Sequence, residues 1–279
     1  MNDPILVMGY DVERYMTPED RKGSLQGVKK IIALHRAYNA PFTFFILGKL
    51  LEHDDYVAEL KKELASAGNL ADIQQHTYSH PLIKKNERYM REKNRKPISI
   101  SEIDTEIKKA NQLIKEKLGI KVFGLKTPIG FYHGLQGEPA VLEVLKKNGM
   151  RYVSSDLVGK GDHPPALLED DGKLRQHYVY ENGLVEVPTH GWHDTHILLK
   201  NISPYKDVTE ACAYYRKELV KAYSRGMMYA PNLHPFIYSD KDHDPKASIV
   251  ETFLSFAKAH KIPVMSYAGY VEHVEKKSE

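Results

Sequence analysis

The residues with most chemistry to offer are His76 and His80, separated by Thr77-Tyr78-Ser79 directly after an apolar, extended stretch. Two imidazoles at this spacing can grip one divalent cation, and a catalytic zinc site takes three protein ligands and keeps a position open for water. Alone the spacing is a weak motif, because the chain has 14 histidines and isolated histidines are mostly surface or hydrogen-bonded core residues. A third ligand and acid–base partners decide its meaning. Asp11-Val12-Glu13 follows the apolar run Ile5-Leu6-Val7-Met8, and strand alternation puts both carboxylates on one side of the chain. Glu13 is the natural third ligand, completing a His-His-carboxylate set. Asp11, beside the metal but not needed to hold it, can take a proton from water. His234, in Asn232-Leu233-His234-Pro235, can give one to a leaving nitrogen or oxygen. Zinc is the default for such ligands; nickel, cobalt or manganese also suit them.

These residues need a frame. Apolar runs of strand length fall at 5–10, 41–47, 70–75, 122–126, 151–155, 184–187, 227–230 and 263–267. Helical periodicity fills 25–38, 56–67, 101–118, 139–147, 208–224 and 249–260. Ser101 and Asp104 open the 101–118 helix, while Gly119 ends it and Gly68 ends the helix before 70–75. Strands alternating with helices imply a parallel sheet covered by helices, and seven or eight units imply a barrel. Function in such barrels gathers at the C-terminal ends of strands. Asp11 and Glu13, His76 and His80, Lys126 to Gly130, and Asn232 to Pro235 all stand at those ends. Pro81 turns His80 away from α geometry and suits the first turn of a following helix, so the pair belongs on a strand-to-helix turn.

Residues 159–182, rich in Gly, Pro and Asp, form a long loop or small hairpin. With no internal repeat, low-complexity tract or linker, residues 1–279 are expected to form one α/β domain. Forty basic and 37 acidic residues leave a charge of +3, too balanced and too interleaved for a nucleic-acid footprint. The one cysteine, Cys212, cannot form an internal disulfide. No apolar stretch reaches membrane length, and Met1-Asn2-Asp3-Pro4 lacks the start of a secretion signal, so a cytoplasmic protein with no membrane partner is expected.

The motifs, in this order, resemble those of the polysaccharide deacetylase family, carbohydrate esterase family 4, over residues 5–270. The resemblance is to its cytoplasmic, peptidoglycan-deacetylase-like and allantoinase-like branch. It implies a distorted, incomplete (β/α)7–8 barrel. It also implies Asp11 as base, Glu13, His76 and His80 as metal ligands, and His234 as acid. Lys126-Thr127-Pro128-Ile129-Gly130 resembles the motif lining the substrate groove, with the Ile129 N–H as oxyanion donor. Trp192 would wall the pocket, and Asp194 would orient and charge-tune His234. Three features depart from the common pattern. One residue separates the two carboxylates, as in the cytoplasmic branch. Glu13 replaces that branch's usual Asp, and Lys126 replaces an Arg that pairs with the catalytic carboxylate. Lysine supplies charge to Asp11 without a bidentate fork.

The expected function is metal-dependent hydrolysis of an acyl group, N-acetyl foremost, from an amino sugar or related amide, the substrate being a small molecule or an oligosaccharide. The alternatives are a non-sugar linear or cyclic amide as substrate, or a catalytically weakened metal- or sugar-binding protein. Tyr132, His133 and the 159–182 excursion would shape the pocket. A homo-oligomer is compatible with the sequence. His190, His193 and His196 suggest a second metal site only superficially, since their spacing fits no strand face and a polar loop accounts for them.

Overall fold

The computed structural model describes residues 3–239, 241 and 243–278. Its elements follow in chain order: β1 (Ile5–Val7), β2 (Gly9–Val12), α1 (Pro18–Tyr38), β3 (Phe42–Ile46), α2 (Asp54–Ala67), β4 (Ala71–Gln75), α3 (Glu87–Lys93), α4 (Ile100–Leu118), β5 (Gly124–Phe131), α5 (Pro139–Lys147) and β6 (Tyr152–Asp156). Next come β7 (Glu169–Asp170), β8 (Lys173–Leu174), β9 (Tyr178–Val179), β10 (Val185–Glu186), α6 (Asp194–Leu198), α7 (Val208–Ser224), β11 (Met228–Tyr229), α8 (Ser248–His260), β12 (Val264–Met265) and α9 (Tyr267–Ser278).

Strands β2, β3, β4, β5, β6 and β10 pair in parallel in that order, with β9 antiparallel at the edge. A second sheet, β11-β1-β12, is also parallel. The two share one path, because β1 runs into β2 past Met8. Tyr10 bridges Leu233 in parallel, and the Asp11 N–H donates to the Leu233 carbonyl at 2.9 Å, so the chain beyond β11 flanks β2. Between β10 and β11 there is no ladder among the described residues. Two backbone hydrogen bonds, His190 N–H to Ala230 O (2.8 Å) and Asp194 N–H to Asn232 O (3.3 Å), span that seam. The result is the expected α/β architecture, a parallel sheet curled into an incomplete barrel.

The pleat sorts side chains onto two faces. Ile5, Val7, Phe45, Tyr152, Val187 and Tyr267 fill the interior cluster. Leu6, Met8, Tyr10, Phe44, Leu125 and Val153 belong to the larger cluster beneath the helices. Asp11 shares the parity of Ile5 and Val7, so its carboxylate rises from the barrel interior.

Several boundaries differ from the sequence expectation. α1 starts at Pro18, because Thr17 and Asp20 form a reciprocal capping box ahead of a proline suited to the first turn. α4 is capped by Ser99 with Glu102, one turn before Asp104. No helix follows Pro81 directly: His80 has φ 64° and α3 begins only at Glu87. α3, α6 and α9 have no counterpart in the periodicity. The 159–182 excursion holds the β7–β8 hairpin and β9.

Candidate active site

The metal-ligand candidates meet at the C-terminal ends of β2 and β4. Glu13 Oε2 lies 3.3 Å from His76 Nε2 and 2.9 Å from His80 Nε2. It is the one such trio of ligand atoms among the described residues, all within 4.8 Å of one another. The turn between the histidines makes this possible. Thr77 (φ 62°) and His80 (φ 64°) both take left-handed backbone, uncommon for residues with side chains and characteristic of functional turns. Glu106 of α4 anchors the turn by accepting from the Ser79 N–H and hydroxyl, both at 2.7 Å. His76 Nδ1 contacts the Lys126 carbonyl at 2.9 Å, which fixes the ring and leaves Nε2 free as the ligand atom. Burial raises the Glu13 carboxyl, but the His80 charge and hydrogen bonds from both histidines, with His234 beyond, hold it well below the carboxylate range. An ionised oxygen facing two imidazole nitrogens is a donor set suited to a divalent cation. Glutamate's extra methylene does not keep it from reaching both.

Beside this trio stand two charge-supported groups. Lys126, fully buried, puts Nζ 3.0 Å from Asp11 Oδ1 and donates to Asn232 Oδ1 at 2.8 Å. The Asp11 contact has ion-pair distance but not hydrogen-bond alignment, so Asp11 Oδ1 keeps the cation's charge without being saturated. His234 Nδ1 lies 2.6 Å from Asp194 Oδ1. Asp194 Oδ2 accepts from the His234 N–H (2.7 Å) and the Tyr238 hydroxyl (3.1 Å). His234 Nε2 therefore points inward, 3.8 Å from both Asp11 Oδ2 and Glu13 Oε1. Burial opposes protonation of His234, yet Asp194's charge and hydrogen bond, then Glu13 and Asp11, outweigh it and raise the imidazole above its ordinary value. A carboxylate beside a lysine and a histidine beside an aspartate thus face one space.

That space is a cavity of about 300 Å³ lined by Asp11, Glu13, His80, His234 and the segment Pro128, Ile129 and Gly130. The β5–β6 register jumps from Lys126–Ser154 to Phe131–Asp156, so this segment bulges out of the ladder where it lines the cavity. Asn86 Nδ2 holds the bulge by donating to the Gly130 carbonyl at 3.0 Å.

Two expected substrate-binding side chains are not among its walls. Trp192 is half-buried against the helix-side core, its ring edge-on to His196 and its backbone N–H donating to the Tyr214 hydroxyl. Tyr132 lies past the end of β5, its hydroxyl 3.4 Å from Asp171. His190, His193 and His196 form no polar loop. All three are buried; His193 and His196 stack with centroids 4.2 Å apart at the start of α6, where a spacing of three fits a helix. Burial pushes both of these pKa values down, so they line the cavity as neutral rings. Glu106 and Asn86 had no sequence signal beyond residue type, and the spacing of His193 and His196 was read as that of a polar loop. Asn232 lay within a recognised motif, but its contact with Lys126 needed the fold.

A family model described as polysaccharide deacetylase matches residues 15–153, about half the chain. That span contains His76, His80 and the Lys126–Gly130 motif, while Asp11, Glu13, Asp194 and His234 lie outside it. No curated protein sequence matches. Among solved structures, a Mycobacterium smegmatis protein described as a polysaccharide deacetylase superposes with TM-score 0.71 at 18% identity, covering 99% of this chain and 92% of that one. The PuuE allantoinase gives TM-score 0.66 at 14% identity, covering 97% and 89%. A CE4 family pseudoenzyme from Bacillus anthracis gives 0.52 at 12%, covering 97% and 66%. At such identities the structural likeness is one of fold. With the family model and the barrel in agreement, this chain belongs to the polysaccharide deacetylase family.

Proposed function

We propose that the protein is a metal-dependent hydrolase that removes an acyl group, N-acetyl foremost, from an amino sugar or related amide. One observation carries the reading: Asp11 backed by Lys126 and His234 backed by Asp194 converge on the cavity beside Glu13, His76 and His80. Those last three residues would hold the ion, which when bound polarises an acyl carbonyl and acidifies water. Asp11 accepts the proton of the attacking water. The Ile129 N–H, freed from the ladder by the β5 bulge, faces the developing oxyanion. His234 delivers a proton from Nε2 to the departing nitrogen, while Asp194 stabilises the imidazolium and fixes its orientation. Asp11→Asn and His234→Ala, assayed after metal loading on acetylated amino sugars and cyclic amides, should each lose on the order of 10²- to 10⁴-fold in kcat. Unchanged turnover in both variants would overturn the assignment. Bound metal without turnover of any amide or ester by the wild-type protein would favour a binding role instead.

The cavity size favours a small substrate, since about 300 Å³ is at the lower end for ligand pockets and suits a single sugar ring or a compact amide. A small linear or cyclic amide is therefore the second reading, with the same acid and base. A cytoplasmic site of action belongs to this proposal, on the absence of any disulfide requirement. No helix among the described residues is long and apolar enough to cross a membrane.

A further inference from the structure

We infer that the substrate carries an anionic group, a carboxylate or phosphate, held by the cations Arg14, Arg88, Lys93 and Lys200 at the wall of the catalytic cavity. This rests on the hydrolase reading only for where the reacting bond lies.

The carboxylates in the same wall are already engaged. Asp11 faces Lys126, Glu13 faces two histidines, and Asp162 accepts from the Tyr132 N–H at 2.8 Å. The four cations are not matched in this way. Among the described residues, no carboxylate is within ion-pair distance of Arg14, Lys93 or Lys200. Arg88 has only Glu92, one turn along α3, at 3.2 Å, and that carboxylate is 48% exposed to water. The Arg14 guanidinium sits over the Phe236 ring, 3.9 Å from its centroid, which orients it without neutralising it. Desolvation and the charges of Arg88 and Lys93 push the Lys200 amine below its usual value, against the pull of Glu13.

Gathering like charges at a partly desolvated wall is unfavourable, and a bound anion relieves it. α3, which supplies Arg88 and Lys93, fully buries none of its own residues. It is attached through Tyr89 and Met90, partly buried against the core, and through Asn86, which caps it by accepting from the Tyr89 N–H (2.8 Å) and also holds the β5 bulge. The helix is thereby fixed to the segment expected to face the reacting carbonyl. A neutral acetylated sugar would use none of this charge.

The test uses two matched pairs of acetamides: N-acetylglucosamine with its 6-phosphate, and N-butylacetamide with N-acetyl-4-aminobutyrate. The anionic member of at least one pair should be favoured in kcat/KM by about tenfold or more, the preference shrinking with added salt. Which pair responds separates phosphate from carboxylate. In the double variant Arg88→Gln/Lys200→Gln the ratio should fall toward one. Calorimetry on chelator-treated protein, comparing glucosamine 6-phosphate with glucosamine and 4-aminobutyrate with butylamine, reads the anion contact without turnover or metal. Anion binding lost in the double variant, with no acetamide hydrolysed, upholds this inference and overturns the hydrolase reading. Hydrolysis without charge preference, or anion affinity unchanged in the double variant, overturns the inference and spares the hydrolase reading. Neither hydrolysis nor anion binding overturns both.

Discussion

At the scale of single residues, the site depends on second partners as much as on the groups that would touch substrate. Asp194 is fully buried and spends both oxygens on the His234 backbone, the His234 ring and Tyr238. Replacing it by asparagine keeps the shape but removes the charge that favours the imidazolium and allows the ring to be held in the wrong tautomer. Asp194→Asn should therefore lower kcat by about 10²-fold or more with little change in KM, since it acts on proton transfer rather than binding. Steady-state kinetics on the best acetamide decides it; a rise in KM alone would assign Asp194 to substrate binding. Asp11, Glu13, His76, His80, Lys126 and His234 were the most legible part of the chain, because each stands at or near the end of an expected strand in a motif of complementary chemistry, whereas Asp194, at the start of α6, was reached through the resemblance. Arg88, Asn86 and Glu106 were not legible, since each reaches the site from a helix or its cap with no motif to mark it. Trp192 was expected to wall the pocket and Tyr132 to shape it. Neither contacts the cavity, because one packs back on the core and the other follows the end of β5.

At the scale of elements, the packing of α1 decides where His234 sits. A Cβ built on Gly27 would lie 1.7 Å from the Pro235 carbonyl oxygen, so the turn Pro235–Tyr238 rests directly on the α1 backbone. Gly27→Ala should cost about 1–3 kcal/mol through overpacking and, by displacing the residue after His234, reduce kcat as well. Gly23→Ala on the same helix is the control, since its Cβ would meet Ser239 at an ordinary 3.6 Å. Thermal melts and kcat for both variants check this; equal behaviour would show that the turn yields freely. Long amphipathic helices such as α4 and α7 were readable because their buried positions recur at helical spacing. α3 was not, being short with no fully buried residue, nor was α6, a short helix buried all round. α9 was obscured because its first residue, Tyr267, continues an apolar run that reads as strand.

At the scale of the whole molecule, buried histidines couple stability to acidity. His35 is enclosed by α1, β2 and β3, contacting the Tyr10 hydroxyl at 2.7 Å and the Ala40 carbonyl at 2.8 Å. Burial lowers its pKa to about 3, and burial lowers that of His190 to about 4. The unfolded chain takes up these protons as pH falls below about 6.5 while the folded one does not, so stability is full above that value and declines toward pH 3. Each histidine contributes a slope of up to about 1.4 kcal/mol per pH unit in that window. Glu186, pushed up to about 7 first by burial and then by Asp156, acts oppositely, losing stability as pH rises from the ordinary carboxyl range through 7. His35→Asn should accordingly flatten urea-unfolding stability against pH between 6.5 and 5, whatever its effect on stability at pH 7. Parallel wild-type and variant curves would rule out His35 as a source of the acid sensitivity.

The bridge between Tyr10 and Leu233 has a temporal consequence. It places Asp11 on β2 beside the segment that carries His234, the proposed proton acceptor and donor, in a pairing among the most distant in sequence that the described residues contain. Closing so long a loop is entropically costly and slow, so the two groups meet only when most of the barrel is assembled. A nascent or partly folded chain would already carry both histidines of the metal turn, yet have no working acid–base pair. Catalysis would then be the last property to emerge during folding and a direct readout of its completion.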